Sequence, residues 1–265
     1  MVKYEAYALT DIGMVRANNE DNFFCNGIYK KDVSMPAYIF EEKGDAGKLS
    51  VFAVFDGMGG ADCGETASLT AAETLNRYFA EITAKERIFS GEEAILYMNA
   101  ALCVEMEKKQ ANMGSTAVVL SVQAGFVQIA NVGDSRAYLY RDSILEQISV
   151  DHTERGSLQR IRKELGLVQE EDGIPDMKDV LTQHLGVSEE DFLLEPYMSG
   201  MSSLCAGDIY LLCSDGLSGM VSDKSIQEVL GSSCNTMQKA QRLREMALRA
   251  GGKDNITLLL LSCPG

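Results

Sequence analysis

The chain has 265 residues, 46% hydrophobic and 24% charged, and its 39 acids against 24 bases give a formal net charge of −15. That composition is of an ordinary globular protein. The acidic surplus excludes nucleic acid and anionic membrane surfaces as main partners, because both repel an acidic face. No stretch approaches the roughly 18 apolar residues that span a bilayer, and MVKYEAYALTD has no apolar core of signal-peptide length. A cytoplasmic protein without a membrane partner is expected. The seven cysteines are odd in number, scattered and free of any CxxC pair, the pattern of reduced, mostly buried thiols. With only His152 and His184 beside them, they give no zinc-ligand spacing. Chemistry here must rest on oxygen ligands.

In chain order, strands are predicted at Tyr4–Leu9 and Leu49–Phe55, rich in Val, Phe and Tyr. Two helices follow. Thr66–Ala80 carries Leu69, Ala72, Leu75 and Phe79 at helical spacing, and Glu92–Lys109 carries Ile95, Met98, Leu102 and Met106. Strands Thr116–Val122, Phe126–Asn131 and Ala137–Tyr140 come next, and the short gaps Gln123–Gly125 and Arg141–Asp142 suit hairpins. After a polar segment come strand Ile209–Cys213, helices Ser222–Leu230 and Met237–Ala250, and strand Ile256–Leu261. Runs such as VFAVF and IYLLC are apolar throughout, so both strand faces are expected to be covered. A layered α+β architecture follows, with antiparallel sheets inside and helix pairs outside. No linker or internal repeat interrupts the chain, so one domain over residues 1–265 is expected.

Four aspartates share a local grammar. Asp56 ends VFAVFDG, Asp134 follows a strand in NVGDSR, Asp215 ends IYLLCSDG, and Asp254 in GGKDN precedes ITLLLL. In RANNED, Glu20 and Asp21 stand just before Phe23-Phe24. Carboxylates gathered at one sheet end repel one another unless a cation neutralises them. Hard divalent ions such as Mg²⁺ or Mn²⁺ take oxygen ligands, and Gly57 would let a backbone carbonyl approach such an ion. A pair of ions about 3.5–4 Å apart can hold a water as hydroxide and clamp a phosphoryl group. Arg16 is then the candidate for the phosphate oxygens.

TDIGMVRANNEDN, VFAVFDGMGG, MGSTAVVLSV, IANVGDSRAYLYR, LLCSDGLSGMVS and GGKDNITLLLL stand in the order found in the metal-dependent type 2C protein phosphatases. From about Tyr4 to Leu261 the chain resembles this PPM family, and specifically its bacterial serine/threonine phosphatase branch. The resemblance implies a four-layer sandwich, two antiparallel β-sheets flanked by antiparallel helix pairs, with the metal site at one end. It implies two Mn²⁺ or Mg²⁺ ions, with Asp56 bridging them and Gly57 offering its carbonyl. Asp215 and Asp254 would bind one ion directly, and Glu20 and Asp21 would serve the other, in part through water. Asp134 with Asp215 would match a third-metal site, Arg16 would bind the substrate phosphate, and Asn255 would support the neighbouring acid. The implied reaction is hydrolysis of phosphoserine or phosphothreonine by a metal-bound water, without a covalent phosphoenzyme. The implied partners are phosphorylated proteins and a cognate serine/threonine kinase with its substrates, the enzyme itself being a monomer.

Residues 155–195 occupy the place of the family's flap. From Glu164 to Glu195 there are ten acids against Lys178 alone, which would disfavour acidic phosphopeptides or help hold the third metal. Two features depart from the family pattern. Asn26–Lys48 is a longer excursion before the DG strand, read as a surface hairpin or a partner contact. Met58 stands where many eukaryotic relatives carry a histidine suited to protonating the leaving group. Three rivals are weaker. The branch acting on anti-anti-sigma proteins usually lacks the arginine motif present here, a catalytically dead scaffold typically loses metal acids, and a nuclease would want a basic stripe.

Overall fold

The computed structural model of the chain describes residues 2–59, 63–164, 180–188 and 193–265. The order begins with strands β1 (Lys3–Asp11), β2 (Asp21–Cys25), β3 (Ile28–Tyr29), β4 (Ala37–Asp45) and β5 (Ser50–Gly59), then helices α1 (Gly64–Ala84) and α2 (Gly91–Lys109). Strands β6 (Met113–Ser115), β7 (Ala117–Gln123), β8 (Phe126–Val132), β9 (Arg136–Arg141) and β10 (Ile144–Gln147) follow, with α3 (Glu154–Glu164) after them. The chain closes with β11 (Tyr197–Met198), β12 (Ser202–Ser203), β13 (Ile209–Cys213), α4 (Asp215–Ser218), α5 (Asp223–Leu230), α6 (Thr236–Arg249) and β14 (Ile256–Ser262).

Among the described residues the strands form two antiparallel sheets. One runs β10-β9-β13-β14-β1-β4; the other runs β11-β8-β7-β5-β2-β3, with β12 added beside β8 and β6 beside β5. The fully apolar runs now have their reason. In β5, Phe52 and Val54 point into the core between the sheets, while Val51, Ala53 and Phe55 pack under α1 and α2. In β13, Tyr210 and Leu212 face the inter-sheet core and Ile209, Leu211 and Cys213 face the core beneath α5 and α6. A strand covered on both faces has no solvent side to alternate with. The two hairpins expected from short gaps form, turning on Ala124 (φ 52°) with Gly125 (φ 80°) and on Asp142 (φ 52°) with Ser143 (φ 65°). Two consecutive left-handed residues match the twist of the flanking strands.

Three readings change. First, Asn26–Lys48 contributes a sheet strand: β4 pairs along its whole length with β1, from Lys3 opposite Asp45 to Asp11 opposite Ala37, and forms the outer edge of the first sheet. Its charged half, Glu41 to Asp45, suits an edge strand exposed to water. Second, β5 does not end at Asp56. It runs on to Gly59 and exchanges β7 for β6 as its partner, pairing Gly57 with Ser115 and Met58 with Gly114. Third, Cys25, Cys213 and Cys263 are buried, Cys63, Cys103 and Cys234 are half-buried and Cys205 is exposed, and among the described residues no cysteine forms a disulfide. Among the described residues no helix is long and apolar enough to cross a membrane.

Candidate metal centre

The acids flagged in the sequence meet at one end of the sandwich because the sheet register puts them there. Asp21 at the start of β2 pairs directly with Asp56 on β5. On the other sheet, β13 and β14 are neighbours; Asp215 follows the end of β13 and Asp254 precedes β14. Ser214 joins the two sheets at this end. Its Oγ donates to Asp21 Oδ2 at 2.7 Å, and it accepts the Thr257 N–H at 3.0 Å. The Asp56 backbone is held by Thr116, whose Oγ1 accepts the Asp56 N–H at 3.0 Å and whose N–H donates to the Asp56 carbonyl at 2.8 Å. Thr116 Oγ1 also lies 2.7 Å from Ser135 Oγ, which couples Asp56 to the Gly133–Ser135 turn carrying Asp134.

Glu20 and Gly57 converge as well. A Cβ placed on Gly64, at the start of α1, would meet the Glu20 carboxyl carbon at 2.6 Å and the Gly57 carbonyl oxygen at 2.8 Å, so both crowd one point. A Cβ on Gly57 would strike the backbone oxygens of Gly64 at 2.0 Å and Glu20 at 2.6 Å. Only glycine lets these three backbones approach. Asn255 binds the RANNED loop from inside. Its Oδ1 accepts the Glu20 N–H at 2.8 Å, and its Nδ2 donates to the carbonyls of Ile12 at 3.0 Å and Asn18 at 2.9 Å. Arg16 lies on the same loop, half exposed, and its Nη2 donates to Asp254 Oδ2 at 2.6 Å. A cavity of about 200 Å³ opens beside Asp134 and Asp215, lined also by Arg136, Asp151 and Thr153.

Electrostatics mark the same place. Burial, then repulsion from Asp21 and Asp215, raises Asp56 well above the usual carboxylate range. Burial pushes Asp21 up to about 7, against the lowering effect of the Ser214 hydrogen bond. Asp134 is likewise pushed up to about 7 by burial and then by Asp215. Asp215 lines the solvent side and is raised by desolvation and then by Asp254, opposed by a hydrogen bond with Asp56. Asp21 Oδ1 is buried with no hydrogen-bond partner among the described residues, a cost that a cation or its bound water would remove. The donor set, carboxylates with a backbone carbonyl, is that of a hard divalent ion, so the residues fit one. Among the described residues no three His, Cys, Asp or Glu side chains close around a single point. Arg16 holds Asp254, and Ser214 holds Asp21.

A pH signature follows. For Asp21 and Asp134 the folded pKa lies above the ordinary value of 3.8. The folded state therefore binds more protons than the unfolded chain between about pH 4 and pH 7, and stability falls as pH rises through that window. The ceiling for Asp21 is about 4 kcal/mol at 1.36 kcal/mol per pH unit. Melting of the EDTA-treated protein should drop between pH 5 and pH 7.5, and saturating Mn²⁺ should abolish the drop. A flat profile without metal would contradict the crowding described here.

Residues 7–256 match the family model Protein phosphatase 2C. The chain belongs to the protein phosphatase 2C family. It is 32% identical over 265 residues to "Serine/threonine phosphatase stp" of Listeria monocytogenes, covering 95% of this chain and 93% of that one. It is 32% identical over 255 residues to "Serine/threonine protein phosphatase PstP" of Mycobacterium tuberculosis, covering 96% of this chain and 44% of that longer one. Among solved structures, the PstP catalytic domain in complex with two manganese ions superposes with TM-score 0.73 at 30% identity, over 99% of this chain and 100% of that one. Stp1 of Staphylococcus aureus superposes with TM-score 0.76 at 27% identity, over 100% and 96%. Membership makes this PP2C-family chain a phosphatase, and the α+β sandwich is the architecture of its relatives.

All nine residues flagged in the sequence lie in this end of the PP2C fold or on its lining. Those missed are Thr116, Ser214 and Gly64. Thr116 and Ser214 lie inside MGSTAVVLSV and LLCSDGLSGMVS, and Gly64 lies four residues beyond VFAVFDGMGG, but a hydroxyl or a glycine carries no signal until the partner strand is known. The flap acids Glu170, Glu171, Asp172, Asp176, Asp179, Glu189, Glu190 and Asp191 lie outside the described residues. Of the segment 155–195, α3 runs to Glu164, and Leu185 pairs with Ser115 across from the Asp56 strand.

Proposed function

We propose that the chain hydrolyses phosphoserine and phosphothreonine in proteins at a two-metal centre, with residues 1–265 acting as one catalytic domain and 155–195 as its flap. The observation that carries this reading is the convergence of Asp21, Asp56, Asp215 and Asp254, with Asp21 Oδ1 buried and unpartnered. Asp56 would stand between two ions, Gly57 and Glu20 with Asp21 serving one, Asp215 and Asp254 the other. Asp134 with Asp215, beside the 200 Å³ cavity, would hold a third. Mn²⁺ is favoured by the PstP structure carrying that ion, and Mg²⁺ suits the same oxygen set. When bound, the ions supply an activated water and neutralise the phosphoryl oxygens. Phosphorylated proteins are the substrates, a serine/threonine kinase the natural counterpart, and signalling in a bacterial cytoplasm the setting.

The chain's own residues do the rest. Asn255 and Ser214 fix the acid-bearing loops through hydrogen bonds that need no substrate. Arg16, once released from Asp254, offers two parallel N–H donors to phosphate oxygens. Met58 cannot donate a proton, and neither histidine is arranged as an obvious substitute. His152 Nδ1 accepts the Gly133 N–H at 3.2 Å, a structural tie. His184 packs over Gly114 near Met58, with Nδ1 donating to the Leu185 carbonyl at 2.8 Å. His152→Ala and His184→Ala should each leave aryl-phosphate turnover within about tenfold, below the usual effect of losing a general acid. A much larger loss in folded His184→Ala would hand that residue the proton. The reading itself is tested by phosphate release from an aryl phosphate and from a phosphothreonine protein as Mn²⁺ is titrated. Release that ignores Mn²⁺ and survives EDTA would overturn it.

A further inference from the structure

Among the described residues two lysines are buried, and only one has an ordinary explanation. Lys239 Nζ donates to the carbonyl of Leu230, the last residue of α5, at 2.7 Å, as cations commonly do at helix C-termini. Lys30 is 2% exposed and lies directly behind the acid-bearing loop. Its Nζ donates to the Asn19 carbonyl at 2.6 Å. Asn19 Oδ1 in turn accepts the Asp21 N–H at 3.1 Å. The Asn22 side chain grips the Lys30 backbone on both sides, accepting its N–H and donating to its carbonyl, each at 2.9 Å. The ammonium is thus fixed to the Asn19–Asn22 segment that carries Glu20 and Asp21. The carboxylates whose charge it feels are Asp21, Glu65 and Asp32. Two of these have a buried oxygen with no hydrogen-bond partner among the described residues, Asp21 Oδ1 and Glu65 Oε2.

From this placement we infer that Lys30 is a built-in counter-cation of the metal centre: it holds the Glu20–Asp21 loop together without metal and weakens the affinity of the site for the ion. The inference rests on the metal-centre reading and concerns a residue outside the motifs shared with the family, in the Asn26–Lys48 excursion. A fixed positive charge close to crowded carboxylates lowers their mutual repulsion, which stabilises the metal-free fold. The same charge repels an incoming divalent ion. Burial lowers Lys30 to about 8, against the raising influence of Asp21 and Glu65, so the ammonium form persists at neutral pH. Lys30 is a positioning residue and touches neither substrate nor the reacting atoms.

The test is Mn²⁺ binding, by calorimetry and by metal-dependent melting, on the full chain and on Lys30→Met and Lys30→Gln. Both variants should melt lower than wild type in EDTA, gain more from saturating Mn²⁺, and bind Mn²⁺ about tenfold more tightly. Variants that are unfolded in EDTA but fold on adding Mn²⁺ would support the inference equally. An equal loss of melting temperature with and without Mn²⁺, unchanged or weaker affinity, or failure to fold even in Mn²⁺ would make Lys30 a structural anchor only and overturn the inference. Wild-type protein that binds no Mn²⁺ would instead overturn the metal-centre reading and the inference with it.

Discussion

Asp215→Asn should cut Mn²⁺-dependent phosphate release at least a thousandfold while making the metal-free protein more stable. The two effects have one cause. Asp215 stands between two carboxylate neighbours, hydrogen-bonded with Asp56 and repelled by Asp254. The amide removes a charge that the bound ions need, since hard cations favour carboxylate oxygen over a neutral carbonyl. It equally removes a charge that the metal-free fold must tolerate. The backbone around it does not depend on the carboxylate: Ser214 N–H donates to Thr257 at 3.0 Å, and Gly216 is wedged against the Asn255 carbonyl, where a Cβ would come within 1.9 Å. Melting in EDTA should therefore rise by about 2–4 °C, the shift expected for about 1 kcal/mol in a chain of this size. Activity within tenfold of wild type, or a lower melting temperature in EDTA, would show that Asp215 supports the fold and not the ions.

Arg16→Ala should lower kcat/KM for phosphoprotein substrates by about 10–100-fold, with Mn²⁺ affinity equal to or tighter than wild type. In the structure the guanidinium is paired with Asp254, their side chains 50% and 31% exposed. Pairs that open to solvent contribute about 0–1 kcal/mol, so the melting temperature should hardly move. Loss of the cation frees Asp254 for an ion, which is why metal binding should not suffer. What is lost is bidentate recognition of the phosphate, and Arg16→Lys should restore only part of it, because an ammonium cannot present the fork. Steady-state kinetics beside Mn²⁺ calorimetry separate the roles. A collapse of Mn²⁺ affinity in Arg16→Ala would assign the arginine to organising Asp254.

The sequence carried this site unevenly, for physical reasons. Asp56, Asp215 and Asp254 were legible because each stands at the boundary of an apolar run with glycine beside it or two residues away, and both covered faces of those strands keep the run continuous. Asn255 was legible only as a motif position; its three hydrogen bonds, to Ile12, Asn18 and Glu20, cross more than 230 residues of chain. Ser214 and Thr116 were invisible for the same reason, since their partners are on other strands and nothing local distinguishes them from turn residues. The β4 edge escaped because Ala37–Phe40 is only half buried and Glu41–Asp45 is charged, which reads as loop until β1 is placed beside it. Lys30 is the sharpest case. A lysine in KKD looks solvated, and only the fold turns it inward behind Asn19 and Asp21.

Crystals grown with saturating Mn²⁺, with diffraction collected at the manganese absorption edge, test the central claim most directly. Two anomalous peaks are expected, one between Asp56, the Gly57 carbonyl and Glu20, the other between Asp56, Asp215 and Asp254, with Arg16 turned away from Asp254. Peaks elsewhere on the protein, or none at this end of the sandwich, would contradict the account.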